Sequence, residues 1–352
     1  MKVDRSWRRR ARIVGLVAGI AALFGESALA ERAYVSNEDG HTVSVVDTER
    51  AEVIATISVG KRPRGMKLTR DGSRLFVALS GLPKCPPSVP DEECAKLERD
   101  LKADGVAVID TASNKVIKVL QAGSDPEQFA LSPDGKRLYV ANEDVALASV
   151  VEVESGKVVA RIKVGREPEG VVMSPTGQWV LVSNESDNSV SVIDTKTLKE
   201  VNHVTVGKRP RDMAFTPDGK AAYVSGEMDA SLYRMTVPTG AVERVLQLRP
   251  EARPMSVVLD ASRNRLYLST GRGGSVAIIE VANASSPPKL IKEIPVGTRP
   301  WGIALSADGR YLYTANGPSN DMSIVDTQSL TTIKRVAVGR SPWGVVVGPA
   351  PN

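Results

Sequence analysis

Hydrophobic and polar residues alternate in short runs over most of this chain, and residues 180–221 show the pattern clearly. Four such runs lie within these 42 residues, separated by clusters of Asn, Asp, Gly and Pro. Period-two runs bounded by these residues predict β-strands joined by tight turns. Four strands of this length form one small antiparallel sheet, which cannot bury both of its faces without similar neighbours.

The same unit recurs along the chain, with one strand position repeating at intervals of 42 to 46 residues, apart from one of 63, and a proline-containing turn repeating in parallel. Seven copies at this period are typical of four-stranded propeller blades, and closing the ring removes exposed sheet edges. We therefore predict an all-β, seven-bladed β-propeller with four-stranded antiparallel blades. The repeated strand positions are Tyr34, Phe76, Tyr139, Leu181, Tyr223, Tyr267 and Tyr313, and the turn prolines are Pro63, Pro126, Pro168, Pro210, Pro254, Pro300 and Pro342.

The phase of the repeat predicts how the ring closes. The repeats begin at residues 33–36 with the second strand of a blade and end at residues 344–347 with a first strand. One blade would therefore take its inner strand from the C-terminal end and its three outer strands from the N-terminal end. We expect this shared blade to lock the ring.

Residues 1–30 have the three parts of a secretory signal: a basic n-region, an apolar core at residues 13–24, and Ala28-Leu29-Ala30 as a cleavage site. The apolar core is shorter than the about 20 residues of a membrane span. We predict a cleaved signal peptide, a periplasmic protein without a membrane span, and a single propeller domain over residues 31–352.

The basic character of the chain belongs largely to this signal. Residues 1–30 hold six basic and two acidic residues, so the remainder has 40 basic and 39 acidic residues and a net charge of +1. Nucleic-acid binding would need a surviving basic patch, so we expect no nucleic-acid partner. We also expect a monomer.

One segment interrupts the repeat, at about residues 82–104. Several prolines keep its first half extended, and residues 92–102 have the composition of a helix of about three turns. The chain has two cysteines, Cys85 and Cys94, and both lie in this segment. An even cysteine count in an exported protein predicts a disulfide between them.

The repeated residues carry a resemblance to a known family. AYVSN, LYVAN and LYTAN, then SVVDT, SVIDT and SIVDT, then VGKRPRG, VGREPEG and VGTRPWG resemble the YVTN family of β-propeller repeats. Seven repeats, an export signal and an insertion in the second repeat are most similar to the periplasmic propellers associated with alcohol oxidation that depends on pyrroloquinoline quinone (PQQ). The resemblance implies an accessory role in such a system and PQQ, a tricarboxylate quinone, as a channel ligand.

The turns that precede the innermost strands are candidates for a functional site, because they surround one mouth of the central channel. The residues flanking their prolines are acidic in two adjacent repeats, basic in most others, and Trp in another adjacent pair. Arginine binds carboxylates with paired hydrogen bonds and Trp offers a stacking face, so a small anionic or planar ligand is expected. Alternatively, Arg and Glu pair across neighbouring blades and Trp fills the channel mouth. The candidate ligand-binding residues are Arg62, Arg64, Arg209, Arg211, Arg253, Arg299, Trp301 and Trp343.

The acidic residues of these turns could supply oxygen ligands for Ca²⁺, although their spacing matches no known loop. The candidate metal ligands are Asp125, Glu127, Glu167 and Glu169. His41 and His203 lie in separate repeats, and the chain has no CxxCH haem motif and no GxSxG nucleophile motif. The sequence therefore indicates no catalytic residue.

Three hypotheses about function follow. We favour a non-catalytic periplasmic binding or scaffold protein, accessory to PQQ-dependent alcohol oxidation, with a periplasmic protein or a small anionic or planar molecule as its partner. The second is a metal-dependent propeller enzyme, of lactonase or lyase type, acting at the channel carboxylates. The third is a cell-surface interaction protein.

Overall fold

The computed structural model describes residue 1 and residues 31–84, 91–94, 96–281 and 287–351 of the chain. The described residues form seven four-stranded antiparallel sheets arranged as blades. The predicted all-β, seven-bladed propeller is therefore confirmed. The predicted signal peptide at residues 1–30 lies outside the described residues, apart from residue 1.

The strands follow the chain order within each blade. Blade 1 contains β1 (Glu31–Asn37), β2 (Thr42–Asp47) and β3 (Glu52–Ser58), and blade 2 contains β4 (Pro63–Leu68), β5 (Arg74–Leu79), β6 (Gly105–Asp110) and β7 (Lys115–Leu120). Blade 3 contains β8 (Pro126–Leu131), β9 (Arg137–Asn142), β10 (Leu147–Glu152) and β11 (Val158–Lys163). Blade 4 contains β12 (Pro168–Met173), β13 (Trp179–Asn184), β14 (Ser189–Asp194) and β15 (Lys199–Thr205).

The remaining three blades repeat this arrangement. Blade 5 contains β16 (Pro210–Phe215), β17 (Ala221–Gly226), β18 (Ser231–Thr236) and β19 (Val242–Gln247). Blade 6 contains β20 (Val257–Asp260), β21 (Arg265–Ser269), β22 (Ser275–Glu280) and β23 (Lys289–Pro295). Blade 7 contains β24 (Pro300–Leu305), β25 (Tyr311–Asn316), β26 (Asp321–Asp326) and β27 (Thr331–Ala337), and the last strand, β28 (Pro342–Pro349), completes blade 1.

The ring closes as the phase of the repeat predicts. β28 pairs antiparallel with β1, from Glu31 opposite Pro349 to Asn37 opposite Pro342. β28 also contacts the inner strands of both neighbouring blades, β24 and β4. The C-terminal strand therefore joins the first blade and the last blade into one ring.

The alternating pattern places apolar side chains between the blades. The middle strands are buried on both faces, whereas the outermost strands alternate between exposed and buried positions; β15, for example, buries only Val204 fully. Val, Ile, Leu and Ala supply most of this packing, and the repeated aromatic position adds Tyr34, Tyr139, Tyr267 and Tyr313, all nearly inaccessible. Burying a side chain of this size stabilises the fold by roughly 1.5–3 kcal/mol.

Turns on the face opposite the proline turns serve the scaffold. Asp47, Asp110, Asp194 and Asp326 each accept backbone N–H groups of the following turn. Gly72 in the first Asp-Gly turn has a φ of 71°, a left-handed conformation that glycine adopts without steric cost. The same contacts recur around the ring, so these residues stabilise turns and form no local site.

The inserted segment lies between the second and third strands of blade 2, as expected, but its helix is shorter than predicted. Within this segment, the described residues form α1 (Asp91–Cys94) and a 3-10 turn, Leu101–Ala103. Tertiary contacts hold the end of the segment in a bent path, because the Asp100 N–H donates to the Gly81 oxygen (3.0 Å) and the Asp104 carboxylate accepts the Gly81 N–H (2.7 Å). The predicted Cys85–Cys94 disulfide lies outside the described residues and side chains.

No helix within the described ranges has both the length and the apolar composition needed to cross a membrane.

Candidate functional site at the channel mouth

The proline turns and the inserted segment meet at one mouth of the central channel, around a cavity of about 460 Å³. This volume lies within the range of small-molecule sites. The inserted segment contributes Leu82, Pro83 and Lys84 to its wall. Of the candidate residues, the cavity is lined by Arg62, Arg64, Asp125, Glu127, Arg209, Arg211, Arg299, Trp301 and Trp343.

A serine in the second strand of one blade fixes the residue that follows the proline in the next blade. The Ser36 hydroxyl donates to the backbone oxygen of Arg64 (2.7 Å), and the Ser183 hydroxyl does the same for Arg211 (2.7 Å). Ser269 holds the Trp301 oxygen in the same way (2.7 Å). The scaffold therefore fixes the backbone of the residue after the proline in these three blades, and the side chain of that residue determines the chemistry of the mouth.

The residue before the proline adopts a left-handed backbone conformation in six of the seven turns. None of these residues is glycine, the residue that adopts positive φ angles without steric cost. The turn of blade 6, which contains Arg253, is the exception. The six φ angles are 42° at Arg62, 40° at Asp125, 50° at Glu167, 55° at Arg209, 51° at Arg299 and 50° at Ser341.

A second ring of residues, whose pairing with the arginines was not predicted from the sequence, lies four positions after the repeated aromatic or leucine residue in the second strand of each blade. Blades 1, 3, 4 and 5 carry a glutamate there, blades 6 and 7 carry a glycine, and blade 2 carries a serine. The signal was present in the sequence as the residue after each repeated YVSN-like motif. The ring consists of Glu38, Ser80, Glu143, Glu185, Glu227, Gly271 and Gly317.

Two of these glutamates pair with the arginine that precedes the turn proline of the next blade. Glu38 of blade 1 accepts a hydrogen bond from Arg62 of blade 2 (2.8 Å), and Glu185 of blade 4 accepts one from Arg209 of blade 5 (2.5 Å). Arg62 also donates to the Leu82 backbone oxygen in the inserted segment. These pairs fit the alternative interpretation of the turn residues, in which Arg and Glu pair across neighbouring blades.

Arg64 is buried among three carboxylates. It is 3% exposed and lies 2.6 Å from Asp125, 3.2 Å from Glu127 and 3.0 Å from Glu143. A guanidinium with this many acidic neighbours is neutralised within the protein. Arg64 therefore helps to join blades 2 and 3, and its positive charge is largely balanced by these three carboxylates.

Two of these carboxyl groups differ in their affinity for a proton. Burial raises the pKa of Glu127 well above its ordinary value, against the opposing charge of Arg64. The pKa of Glu143 is lowered to about 2. Burial alone would raise this pKa, but the hydrogen bond with Glu127 and the charge of Arg64 outweigh that effect. Glu127 thus holds a proton over a pH range in which Glu143 is already ionised.

Arg211 forms the second buried cluster. Its guanidinium donates to Glu227 (2.7 Å) and also contacts Glu169 and Glu185. Only 7% of Arg211 is exposed. This cluster joins blades 4 and 5 as the Arg64 cluster joins blades 2 and 3.

The two tryptophans lie together at the mouth, and the Arg211 guanidinium lies 5.6 Å from the centre of the Trp301 ring. The ring centroids of Trp301 and Trp343 are 5.5 Å apart, with planes inclined by 31°. The Arg299 guanidinium lies 4.9 Å from the centre of the Trp301 ring, close enough for a cation–π interaction. Trp343 is buried, whereas Trp301 keeps part of its surface exposed to the cavity.

Arg299 differs from the other channel arginines because it has no carboxylate partner among the described residues. By the pairing seen elsewhere, its partner would come from blade 6, and that blade has Gly271 at the position. Burial lowers the pKa of Arg299, and the nearby charge of Arg272 lowers it further. Arg253, also of blade 6, contacts the Met228 sulfur at 3.0 Å and has no carboxylate partner in the described chain.

The four predicted metal ligands do not come together as one cluster. Asp125 and Glu127 contact Arg64, Glu169 contacts Arg211, and the Glu167 carboxylate accepts a hydrogen bond from Ser186 (2.5 Å). Within the described residues, no group of three or more His, Cys, Asp and Glu side chains has a metal-binding arrangement. Arg64 and Arg211 already neutralise three of these carboxylates, and their guanidinium groups occupy the positions that a metal cation would need.

The fold and this mouth define a seven-bladed β-propeller protein with a charged and aromatic channel entrance. Two family descriptions match parts of the chain: "Lactonase, 7-bladed beta-propeller" over residues 171–342 and "Cytochrome D1 heme domain" over residues 97–235. Each match spans less than half of the chain, so neither shows that the chain belongs to that family. The chain is related in fold to both groups of proteins.

One curated protein is similar to part of the chain. Antigen Lp49 of Leptospira interrogans (serogroup Icterohaemorrhagiae, serovar copenhageni, strain Fiocruz L1-130) is 30% identical over 109 residues, which are 31% of this chain and 22% of that protein. The chain thus aligns with about a fifth of the length of this curated relative.

Two solved structures show the same architecture. Kuenenia stuttgartiensis hydrazine synthase is 22% identical, with a TM-score of 0.70 over 84% of this chain and 92% of the other. The periplasmic gluconolactonase PpgL of Pseudomonas aeruginosa is 21% identical, with a TM-score of 0.72 over 91% of this chain and 99% of the other. At these identities the likeness is one of fold.

Proposed function

We propose that the channel mouth binds a small planar organic anion, and that the protein acts as a binding protein for it. The observation that carries the proposal is the Arg299 guanidinium beside the Trp301 ring, which forms no ion pair with a carboxylate of the described residues. The other arginines of the mouth that face carboxylates are neutralised by them, so the anion site is local to blades 6 and 7.

The glycines of the second ring support this position. Gly271 and Gly317 occur where four other blades carry glutamate, so this side of the mouth lacks both the negative charge and the bulk of a glutamate side chain. Gly317 itself lines the cavity. An incoming carboxylate can therefore approach Arg299 without displacing an ion-paired glutamate of either blade.

The tryptophans support a planar ligand. The exposed face of Trp301 offers flat apolar area, and stacked aromatic contacts contribute about 0.5–1.5 kcal/mol beyond the burial of area. A carboxylate on the ring system would reach the Arg299 guanidinium, which suits paired hydrogen bonds. PQQ, a planar tricarboxylate that the YVTN-type resemblance implies, meets both requirements, with Arg299 as the residue that would hold a carboxylate.

Calorimetric titration with PQQ tests the proposal. Arg299→Met is expected to weaken binding by about 30-fold or more, since removing one partner of a buried charge pair costs about 2–5 kcal/mol. Arg209→Met is the matched control, because Arg209 occupies the same position in its turn but already pairs with Glu185. It should change affinity much less.

A second variant adds charge rather than removing it. Gly317→Glu has room for its side chain, since the nearest atom to an added Cβ is the Pro342 oxygen at 3.6 Å. The new carboxylate should repel an anionic ligand and weaken binding by about tenfold. Equal PQQ affinity in the wild type, Arg299→Met and Gly317→Glu would rule out this site.

A second candidate function is hydrolysis of a lactone, which the Glu127–Glu143 pair and the similarity to the lactonase family favour. Glu143, ionised, would take a proton from a water molecule that attacks the ring carbonyl. Glu127, protonated, would give its proton to the ring oxygen as the carbon–oxygen bond breaks. A hydroxy acid results, and the two carboxyl groups then exchange their proton to restore the starting state.

Titration of acid released from glucono-δ-lactone tests this candidate. If the pair is catalytic, Glu143→Gln should lower the rate by about 10²–10⁴-fold, which is the usual contribution of a general base. Glu38→Gln is the control, because Glu38 has the same place in its blade but pairs with Arg62. A wild-type rate equal to spontaneous hydrolysis would remove the lactonase candidate and leave the binding proposal standing.

The cellular setting belongs to the same proposal. The signal-like residues 1–30 support a periplasmic location, and the YVTN-type resemblance supports an accessory role in PQQ-dependent alcohol oxidation. A protein partner would meet the face formed by the proline turns and the inserted segment. Cross-linking in intact cells, followed by mass spectrometry, would identify a protein bound to this face.

A further inference from the structure

A lysine on an inner strand has no role in the interactions described above. Lys67 lies on β4, the innermost strand of blade 2, three residues beyond Arg64. A strand rises about 3.3 Å per residue, so Lys67 lies roughly 10 Å deeper along the channel than Arg64. The other six blades carry only Ala or Val at this position: Ala130, Val172, Ala214, Val258, Ala304 and Val346.

The acidic group that acts on Lys67 comes from the far side of the ring. Asp212 lies on β16, the innermost strand of blade 5, where four other blades carry glycine. Its carboxylate accepts the backbone N–H groups of Met213 (2.8 Å) and Val257 (3.1 Å), which fix it in place. Because blades 2 and 5 are as far apart as two blades of seven can be, Lys67 and Asp212 face each other across the channel.

The Lys67 amine has no ion-pair or hydrogen-bond partner in the part of the chain that the structure describes. Both side chains keep partial exposure, although they lie on the innermost strands. They therefore face the channel interior. Burial lowers the pKa of Lys67, while the charge of Asp212 opposes that change.

We propose that Lys67 is a carbonyl-capturing amine, which forms an imine with an aldehyde or ketone group of a small molecule in the central channel. The neutral amine attacks the carbonyl carbon and the carbon–oxygen π bond opens to give a carbinolamine. The oxygen then leaves as water with two hydrogens from the nitrogen, and a carbon–nitrogen double bond remains. A lysine removed from bulk water and free of an ion pair is suited to this chemistry.

Reductive trapping tests the inference with two probes. The purified protein is treated with glyoxylate or with pyridoxal 5′-phosphate, then with borohydride, and its peptides are mapped by mass spectrometry. Lys67 should be modified faster than exposed lysines such as Lys208, because a lowered pKa leaves a larger fraction of the amine neutral. Asp212→Asn should accelerate the modification, since the carboxylate favours the ammonium form.

The two probes separate this inference from the proposed anion site. Glyoxylate is small and tests the amine alone, whereas pyridoxal phosphate is planar and anionic and also tests the mouth. Labelling of Lys67 by glyoxylate but not by pyridoxal phosphate supports the amine and counts against a planar-anion entrance. If both probes label Lys67 no faster than Lys208, the inference is wrong. Lys67→Arg, which keeps the charge but forms no imine, should lose the adduct at this peptide.

Discussion

Replacing Arg211 with Met is expected to lower the free energy of unfolding by about 3–5 kcal/mol, which is the usual cost of removing one partner from a buried ion pair. The stability is lost because three buried carboxylates would remain without their arginine partner. Glu169, Glu185 and Glu227 would be left close together in a region where Arg211 itself is only 7% exposed. Urea unfolding followed by tryptophan fluorescence measures the change.

The pH dependence of this loss distinguishes charge from packing. Burial raises the pKa of Glu227, but the charge of Arg211 outweighs it and keeps that pKa below the ordinary value of 4.5. A carboxyl group with a lowered folded-state pKa stabilises the fold above its unfolded pKa and loses that contribution as the pH falls. The difference between wild type and Arg211→Met should therefore be largest at neutral pH and shrink below about pH 4.5.

Arg253→Met is the matched control for this variant. Arg253 is a channel-face arginine of the next blade, and its side chain donates to the Met228 sulfur and forms no ion pair among the described residues. The stability change should stay below about 1 kcal/mol, as for most exposed charged groups. Equal losses in the two variants would show that the three carboxylates do not depend on Arg211.

Deleting residues 342–352 is expected to abolish cooperative unfolding of the whole propeller. The deletion removes β28, and with it Trp343 and Val345, each only 5% exposed. Losing these and the flanking apolar residues costs more than about 5 kcal/mol, which is comparable to the whole stability of many domains. The edge of β1 would also lose its partner and become available for pairing with other chains. Size-exclusion chromatography and thermal unfolding would report the change.

Two comparisons keep this result interpretable. A chain ending at residue 349 retains β28 and should unfold like the full-length protein. A synthetic peptide covering residues 338–352, added to the truncated chain, should restore part of the transition, because an isolated strand can add to a sheet edge. An unchanged transition in the truncated chain alone would mean that β28 contributes little to the ring.

The sequence was sufficient to predict the blades and their closure because those features are periodic. Each blade repeats the same strand lengths, turn residues and buried tyrosine position, so an error at one repeat is corrected by the others. The inserted segment has no such copies. Its predicted helix at residues 92–102 was too long because backbone contacts to Gly81 and ion pairs of Arg99 and Asp100 determine its path.

The site was harder to predict because its chemistry depends on pairs between blades. Arg64 and Arg299 both flank a turn proline, and sequence alone gave them the same interpretation. The structure separates them, since Arg64 lies among three carboxylates and Arg299 lies beside Trp301 without one. Lys67 was missed because a lysine in a strand of alternating pattern is usually exposed, and only the inner-strand position turns it toward the channel.

The left-handed turn residues limit how stable this protein can become without losing its chemistry. A left-handed conformation costs a residue with a side chain roughly 1–2 kcal/mol, and glycine avoids that cost. Glycine at Arg299 would therefore relax the backbone and at the same time remove the charge that faces the cavity. Selection for heat resistance alone would favour such changes around the whole rim. A thermostable descendant chosen without regard to ligand binding should thus converge on an uncharged, glycine-rich entrance. Its propeller would be intact, but its channel mouth would have no charged side chain to bind an anion.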